Sequence, residues 1–369
     1  MERISNYQLF VITVLFQIGT TIVFGFGSTA GRDAWIAALI STAMGVLVVL
    51  LYNLLMRMNP GLTLVEWYNI RFGKWLGTPI AWIYALLFIY ELARGLGDFK
   101  FLIPMTILPR TPIFIVLVIF MGVLFYSVFS GIEVIARLGE LFMPIIFILF
   151  LVEIILIFSS DIIRINYLLP IAGKGWKPIW KTVWPLGVTQ SFGESIEFTM
   201  IWPLVNQPEK IIKTTLLATI TSGLFIASFD VLAIAVLGEG MFKNSIYPLY
   251  TLIQQISVGN FMENLQVIEV LYFLTTIFFK MSIHLFVAVR AIQQLVLVPN
   301  GRIFILPVLV IGLYLGMTMA SNVSAHIETG LKIIPYSLWA PFYLVLPGVL
   351  FIVTLIRKKF KKSKQSLKN

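Results

Sequence analysis

The sequence predicts an all-α, multi-pass membrane protein with ten transmembrane helices, of which helices 1 and 6 are discontinuous. Three observations lead to this fold class. Of the 369 residues, 59% are hydrophobic and 12% charged, whereas soluble domains are about half apolar and about a quarter charged. Apolar runs of about 20 residues recur along the chain, each long enough to cross a bilayer core as a helix. Two of these runs contain clusters of glycine and polar residues.

The ten predicted segments are joined by polar connections, of which the longest cover about 160–179 and 238–263. They cover residues 7–30, 34–56, 77–99, 112–129, 141–159, 180–204, 212–237, 264–290, 303–321 and 335–356. The connection Thr63–Gly73 is too polar to span a membrane. We predict that it forms a short interfacial helix with Leu64, Trp67 and Ile70 on one face.

The net charge of +10 is concentrated at the C-terminus, where residues 357–369 hold seven basic side chains. Their position directly after the last segment is typical of a cytoplasmic anchor on anionic lipid, and we expect no nucleic-acid partner. With both termini in the cytoplasm, 16 lysines and arginines lie inside and 9 outside, although without the tail both counts are 9. We predict cytoplasmic termini and a single transmembrane domain over 1–369. It divides into five-helix repeats 1–159 and 160–356 and the basic tail.

Composition also limits the chemistry. The chain has no cysteine, which excludes disulfides and thiolate sites, and its two histidines, His284 and His326, are far apart in sequence. Carboxylates occur in the apolar segments, but no nucleophile, metal-ligand set or phosphate-binding loop accompanies them. We therefore predict no enzyme activity, no bound metal and no cofactor.

The first segment contains the stretch FQIGTTIVFGFG. A glycine in a membrane helix often only allows close helix packing. Gly19 differs because it lies between Gln17 and the pair Thr20 and Thr21, near the predicted middle of the bilayer, where polar groups are costly unless they face a cavity. An unwound helix frees N–H groups that suit a carboxylate, and glycine permits the required dihedral angles. We predict that these four residues bind substrate.

The sixth segment repeats this feature. In Val188–Val205, the residues Ser191, Gly193, Glu194 and Ser195 interrupt an apolar run. Interruptions at corresponding positions of two halves indicate a 5+5 inverted-repeat transporter fold of the LeuT type, with its site at the breaks. Ser191, Gly193 and Glu194 are therefore predicted to bind substrate.

Charged residues in other segments add candidates. Glu91 lies deep in the third segment and shares a helical face with Arg94 and Asp98. Either the three form a salt-bridge ladder, or Glu91 faces a cavity and binds substrate. Lys280 and His284 share a face of the eighth segment, as a structural pair with a carboxylate or as substrate-binding residues. There the ammonium would replace the cation that several transporters of this architecture hold near the first break.

Three further acids have weaker assignments. Glu197 follows the second interruption, where a carboxylate can cap freed N–H groups, so a structural role is favoured. Glu153 and Asp230 are isolated acids in the fifth and seventh segments. Each is either a proton relay or a hydrogen-bonded structural acid.

The order and spacing of several motifs resemble those of the B subunit of spore germinant receptors, a branch of the amino acid–polyamine–organocation transporter superfamily. The motifs are ISNYQ before the first segment, ILPRTPI, SGIEVIARLGELFMP, GESIEFTMIWPLVN and SIYPLYTLIQQISVGNFMENLQVIE. The likeness covers almost the full length.

The resemblance implies a ten-helix, 5+5 fold in the inner membrane of a Bacillus-type spore. It also implies a nutrient-sensing complex with a larger A subunit and a lipoprotein C subunit. Gly19 matches the family's first-helix break. Glu91, Glu194 and Lys280 lie at positions where their helices would face the ligand. The leading hypothesis is a germinant-sensing subunit that binds an amino acid or a similar small polar solute at the midplane. The alternative is a permease for amino acids, polyamines or organic cations, coupled to protons through Glu91 or Lys280.

Overall fold

The structure, a computed structural model, describes residues 3–256 and 266–366. The predicted start of the eighth segment at residues 264 and 265, and part of the last motif above, lie outside the described residues. The α-helices are α1 (Asn6–Ile18), α2 (Thr21–Phe24), α3 (Ala34–Met58), α4 (Leu64–Thr106), α5 (Ile113–Ser130), α6 (Ile132–Ser159), α7 (Trp176–Thr182), α8 (Val188–Gln190), α9 (Ile211–Asn244), α10 (Pro248–Ile253), α11 (Gln266–Val296), α12 (Ile305–Thr318), α13 (Val323–Glu328) and α14 (Leu346–Ser366).

Nine helical stretches in the described part of the chain are long and apolar enough to cross a membrane. The protein is therefore a multi-pass membrane protein, as predicted. The sixth predicted segment is not among the nine, because its backbone is not one continuous α-helix. It passes from α7 through one π-helical turn (Val183–Gly187) and α8 into a 3-10 helix (Gly193–Met200).

The predicted interfacial helix forms the start of α4. The Glu66 carboxylate accepts the Thr63 N–H at 2.8 Å, which caps the helix at its first turn. The backbone breaks at Gly73 before the long membrane-crossing part begins. Leu64 and Trp67 are buried against the protein, whereas Ile70 is 50% exposed.

Helix α1 lies at the centre of the molecule, packed against α9, α6 and α11, and its residues from Val11 to Ile18 are buried. Helix α6 lies at the periphery, and only 17% of its most apolar 18 residues are buried. Its exposed apolar side chains therefore face the lipid, since they have no other apolar environment.

The segment before α1 is fastened to the end of the sixth predicted segment. Ile4 donates its N–H to the Leu204 carbonyl at 3.0 Å, and Asn206 donates to the Ile4 carbonyl at 2.9 Å, in a short parallel bridge. The two interrupted segments are thus joined by their backbones at one end.

Candidate solute-binding site

The first interruption lies at Gly19. Helix α1 ends at Ile18, and the Gly19 N–H still donates to the Leu15 carbonyl at 3.0 Å. Gly19 has φ 42° and ψ −130°, a conformation that residues with a side chain rarely adopt. The predicted role of Gly19 as an N–H donor to a ligand was wrong, because that N–H is already used within α1. Its role is to let the chain turn before α2 begins at Thr21.

The second interruption runs through residues 191–200. The chain leaves α8 at Gln190 and continues as the 3-10 helix Gly193–Met200, with its side chains buried. The Gly193 carbonyl accepts a hydrogen bond from the Tyr52 hydroxyl of α3 at 3.0 Å. A side chain thus satisfies a backbone group released by the irregular helix, as the membrane interior requires.

Side chains of the two interruptions contact each other directly. The hydroxyls of Thr21 and Ser191 lie 2.8 Å apart. The Gln17 amide donates to Ser195 at 2.8 Å and to Thr219 at 3.1 Å, and its carbonyl accepts from Ser222 at 2.7 Å. The polar side chains of the two interruptions therefore largely satisfy one another's hydrogen-bonding groups.

Lys280 of α11 reaches both interruptions. Its ammonium forms an ion pair with Glu194 at 2.6 Å, and both side chains are almost fully buried. Its stem lies against Gly19, where a Cβ atom would be 2.8 Å from the Lys280 Cδ. The ammonium is also 5.5 Å from the centroid of the Phe16 ring. The Lys280 side chain thus lies at the first break, and its replacement of a bound cation there stays a prediction.

His284, one turn after Lys280, binds Glu197. The His284 Nδ1 is 2.9 Å from both carboxylate oxygens, and both residues are buried. The prediction that Glu197 caps a helix was wrong, because its carboxylate faces this imidazole instead. His284 thus contacts a carboxylate, and the choice between its structural and substrate-binding roles stays open.

Glu91 faces inward from α4. One of its oxygens accepts the Trp339 indole N–H at 2.7 Å and the Tyr343 hydroxyl at 3.2 Å. Asp98 instead pairs with His326, whose Nε2 lies 2.7 Å from its carboxylate. Among the described residues no ion pair joins Arg94 to either acid, so the alternative of a salt-bridge ladder was wrong.

A cavity of about 50 Å³ lies beside these groups, which is room for a few water molecules or a small polar solute. Of the predicted substrate-binding residues, five line it. They are Thr20, Glu91, Glu194, Lys280 and His284. The other five do not line it. They are Gln17, Gly19, Thr21, Ser191 and Gly193.

The cavity has further lining residues that sequence reasoning did not select. They include Gln190, Arg94, Asp98, His326 and Trp339. Arg94 and Asp98 carried a signal, since they are charged residues in an apolar segment, but a salt-bridge ladder explained them equally well. No signal distinguished Trp339 from an ordinary apolar side chain of the tenth segment.

The isolated acids lie away from this cavity. Glu153 on α6 is fully buried, and Asp230 on α9 is nearly so. Glu153 faces the hydroxyl of Tyr272 on α11. Neither acid is in an ion pair within the described ranges. The choice between a proton relay and a structural acid stays open for both.

Comparison with known proteins adds a family to this geometry. The family model described as "Spore germination protein" matches residues 3–324. The chain belongs to this family. Spore germination protein KB of Bacillus subtilis (strain 168) is 34% identical over 97% of this chain and 96% of its own length. Spore germination protein B2 of the same organism is 26% identical over 71% of this chain and 72% of its own.

The fold of this spore germination protein is that of a transporter. The structure of Mhp1, a nucleobase-cation-symport-1 family transporter, in a closed conformation with bromovinylhydantoin bound, superposes with a TM-score of 0.72. It covers 95% of this chain and 78% of the Mhp1 chain at 15% identity, so the likeness concerns the fold alone. The family is permease-like and the fold is LeuT-like. Neither is that of an enzyme.

Proposed function

We propose that this spore germination protein is the germinant-sensing subunit of a receptor and that it binds a small polar solute, an amino acid, in the cavity between the two interruptions. Membership of the spore germination family supports the sensing role. The transporter fold supports a solute site between helices near the bilayer midplane.

One observation carries the proposal: Lys280 contacts both interruptions at once. Its ammonium pairs with Glu194 at 2.6 Å, and its stem fills the space beside Gly19. Burying a lysine and a glutamate in a membrane protein is costly, and such residues commonly serve a ligand or ion pathway. A solute that changes this ion pair would therefore move both interrupted segments together.

The predicted residues divide into two roles in this proposal. The solute contacts the five that line the cavity, Thr20, Glu91, Glu194, Lys280 and His284. Of the other five, Gln17, Thr21 and Ser191 link the two interruptions by hydrogen bonds. Gly19 and Gly193 shape the backbone at the two breaks. Binding would bias one helix bundle to rock against the other, and partner subunits would detect this change.

The proposal includes an architecture and an assembly. We infer ten spans in two inverted five-helix repeats, 1–159 and 160–356, with the irregular segment after α7 as the sixth span. The basic tail 357–369 and the N-terminus would lie in the cytoplasm. The protein would act in the inner membrane of the spore with a germinant receptor A subunit and a lipoprotein C subunit.

The experiment uses spores in which this chain is the only B subunit. Germination is measured with each common L-amino acid as the trigger, in the native protein and in Glu91→Gln. We expect Glu91→Gln to abolish or strongly weaken the response to the active amino acid, since the cavity then lacks one carboxylate. Glu133→Gln is the matched control, because Glu133 is an exposed residue paired with Arg137. An unchanged response of Glu91→Gln at normal protein levels would rule out the assigned cavity.

A second candidate function is a working permease. The likeness to the Mhp1 transporter fold favours it, and the proton coupling expected through Glu91 or Lys280 belongs to this alternative. Uptake of labelled amino acid or putrescine by proteoliposomes that contain this chain alone would support a permease. Dependence of the solute response on co-expressed A and C subunits would support the receptor.

A further inference from the structure

Two basic side chains, Lys280 and Arg94, line the cavity, and one of them already has an acidic partner. Lys280 pairs with Glu194 at 2.6 Å, so its charge is compensated before any solute enters. Arg94 also lines the cavity. It is in no ion pair with any residue that the structure describes, and the hydroxyl of Tyr90, one turn earlier on α4, is the group beside it.

The surroundings of Arg94 leave its charge directed at the cavity. The nearest acid toward the helix end, Asp98, is held by His326 at 2.7 Å. The backbone of Gly330 lies directly over the guanidinium, and a side chain at position 330 would collide with the Arg94 Nη2. Glycine thus leaves the space that the guanidinium occupies. A guanidinium offers several N–H donors in a planar fork that matches a carboxylate.

Glu91 supplies the opposite charge one turn away. It precedes Arg94 by three residues on α4, which places the two side chains on one helical face with Cβ atoms about 5–6 Å apart. One Glu91 oxygen accepts from Trp339 and Tyr343, and these donors fix the carboxylate in place. Its charge is not matched by an ion pair in the described part of the chain.

We infer that Arg94 binds the carboxylate of the solute and that Glu91 binds its ammonium group, so the site selects free α-amino acids. The inference rests on the proposed function, and it replaces the N–H groups of the first interruption as the carboxylate site. The two charges of an α-amino acid are separated by two bonds, which suits groups on adjacent turns of one helix. A polyamine or another organic cation would meet the Arg94 charge without a carboxylate to offset it.

The test measures binding to the full chain in lipid nanodiscs. The melting temperature is recorded with each common L-amino acid, its methyl ester and putrescine, and dissociation constants are then measured for the compounds that stabilise. We expect the native chain to bind a free amino acid at least about tenfold more tightly than its ester, and putrescine not to stabilise. Arg94→Gln should lose this preference by weakening the acid and not the ester. Arg94→Lys should retain part of it.

Arg110→Gln is the matched control, since Arg110 is an exposed arginine that does not line the cavity. It should keep the native preference. If Arg94→Gln keeps the native preference for the acid over the ester, the assignment of Arg94 is overturned while the amino acid site stands. If the acid and the ester bind the native chain equally, Arg94 is also excluded. If no amino acid or ester binds the native chain, the proposed function fails together with this inference.

Discussion

Lys280 and Glu194 form a buried ion pair between α11 and the second interruption, with 2.6 Å between the ammonium and the carboxylate. The same lysine stem occupies the space left by the missing side chain of Gly19. This pair therefore connects the two places where the backbone departs from regular α-helix. Its geometry makes the stability of the protein and the response to solute depend on the same two side chains.

The first prediction concerns this pair. Lys280→Met or Glu194→Gln alone leaves one buried charge without its partner, which costs roughly 3–5 kcal/mol in buried pairs. We expect each single variant to lower the melting temperature of the purified protein clearly. The double variant should be more stable than the sum of the two losses predicts, because neither charge remains. Additive losses in this double-mutant cycle would show that the two side chains are not coupled.

The second prediction concerns Gly19. A side chain there is strained by φ 42° and collides with the Lys280 stem, and backbone strain of this kind costs about 1–3 kcal/mol. Gly19→Leu should abolish solute-triggered germination in spores that contain normal amounts of the protein.

Gly122→Leu is its matched control. A Cβ atom at this exposed position of α5 would meet no atom within 4 Å, so the response should stay native. A native response of Gly19→Leu would contradict the cavity assignment.

The sequence predicted the interruptions because glycine and polar residues stand out in an apolar run. It could not predict which polar groups would satisfy each other. Thr21 and Ser191 are separated by 170 residues, and periodicity describes only contacts within one helix. For the same reason the predicted salt-bridge ladder of Arg94 and Asp98 was wrong. The partner of Asp98 is His326, which is 228 residues away in the sequence.

The aromatic partners of Glu91 could not be predicted from the sequence for a different reason. Trp339 and Tyr343 lie in an apolar segment where such residues usually pack in the core or face lipid. Only the fold brings their polar atoms to the Glu91 carboxylate. Glu91, Glu194 and Lys280 were thus predictable as residues that line the cavity. The other charged lining residues and the hydrogen-bond partners of Glu91 were not.

The third prediction concerns the far end of the cavity. The Asp98–His326 contact at 2.7 Å holds α13 against α4, and Leu331 just beyond α13 lines the cavity. The chain has no cysteine, so Leu331→Cys creates a unique thiol. Adding Asp98→Asn should speed its reaction with a water-soluble methanethiosulfonate several-fold, because α13 is then held less firmly against α4.

Glu328→Gln in the same Leu331→Cys background is the control. It removes an exposed ion pair with Lys332, and such surface pairs contribute little. The labelling rate should not change. Equal rates for the Asp98→Asn and control variants would show that the Asp98–His326 contact does not limit access to Leu331.

The fourth prediction concerns orientation in the membrane. With cytoplasmic termini, the connection between α4 and α5 lies outside and the start of α6 lies inside. A single cysteine at Arg110 should react with a membrane-impermeant maleimide in intact cells, and one at Arg137 only after permeabilisation. Both positions are exposed, so access to the reagent decides the result. The opposite labelling pattern would invert the proposed topology.

The fifth prediction concerns Glu153, a fully buried acid of α6 outside the cavity. It faces the neutral Tyr272 and is in no ion pair among the residues that the structure describes. Burying an incompletely satisfied polar group costs about 1–3 kcal/mol. Glu153→Met should therefore raise the melting temperature, and the solute response should remain native.

Ile155→Met, at an exposed position of the same helix, is the control for the methionine side chain and should change neither property. The two possible roles of Glu153, structural acid and proton relay, predict different solute responses for Glu153→Met. If the variant is as stable as the native protein or more so, yet loses the solute response, the carboxyl takes part in signalling. A proton pathway between α6 and α11, separate from the cavity, would then be required, because Glu153 does not line the cavity and cannot contact the solute.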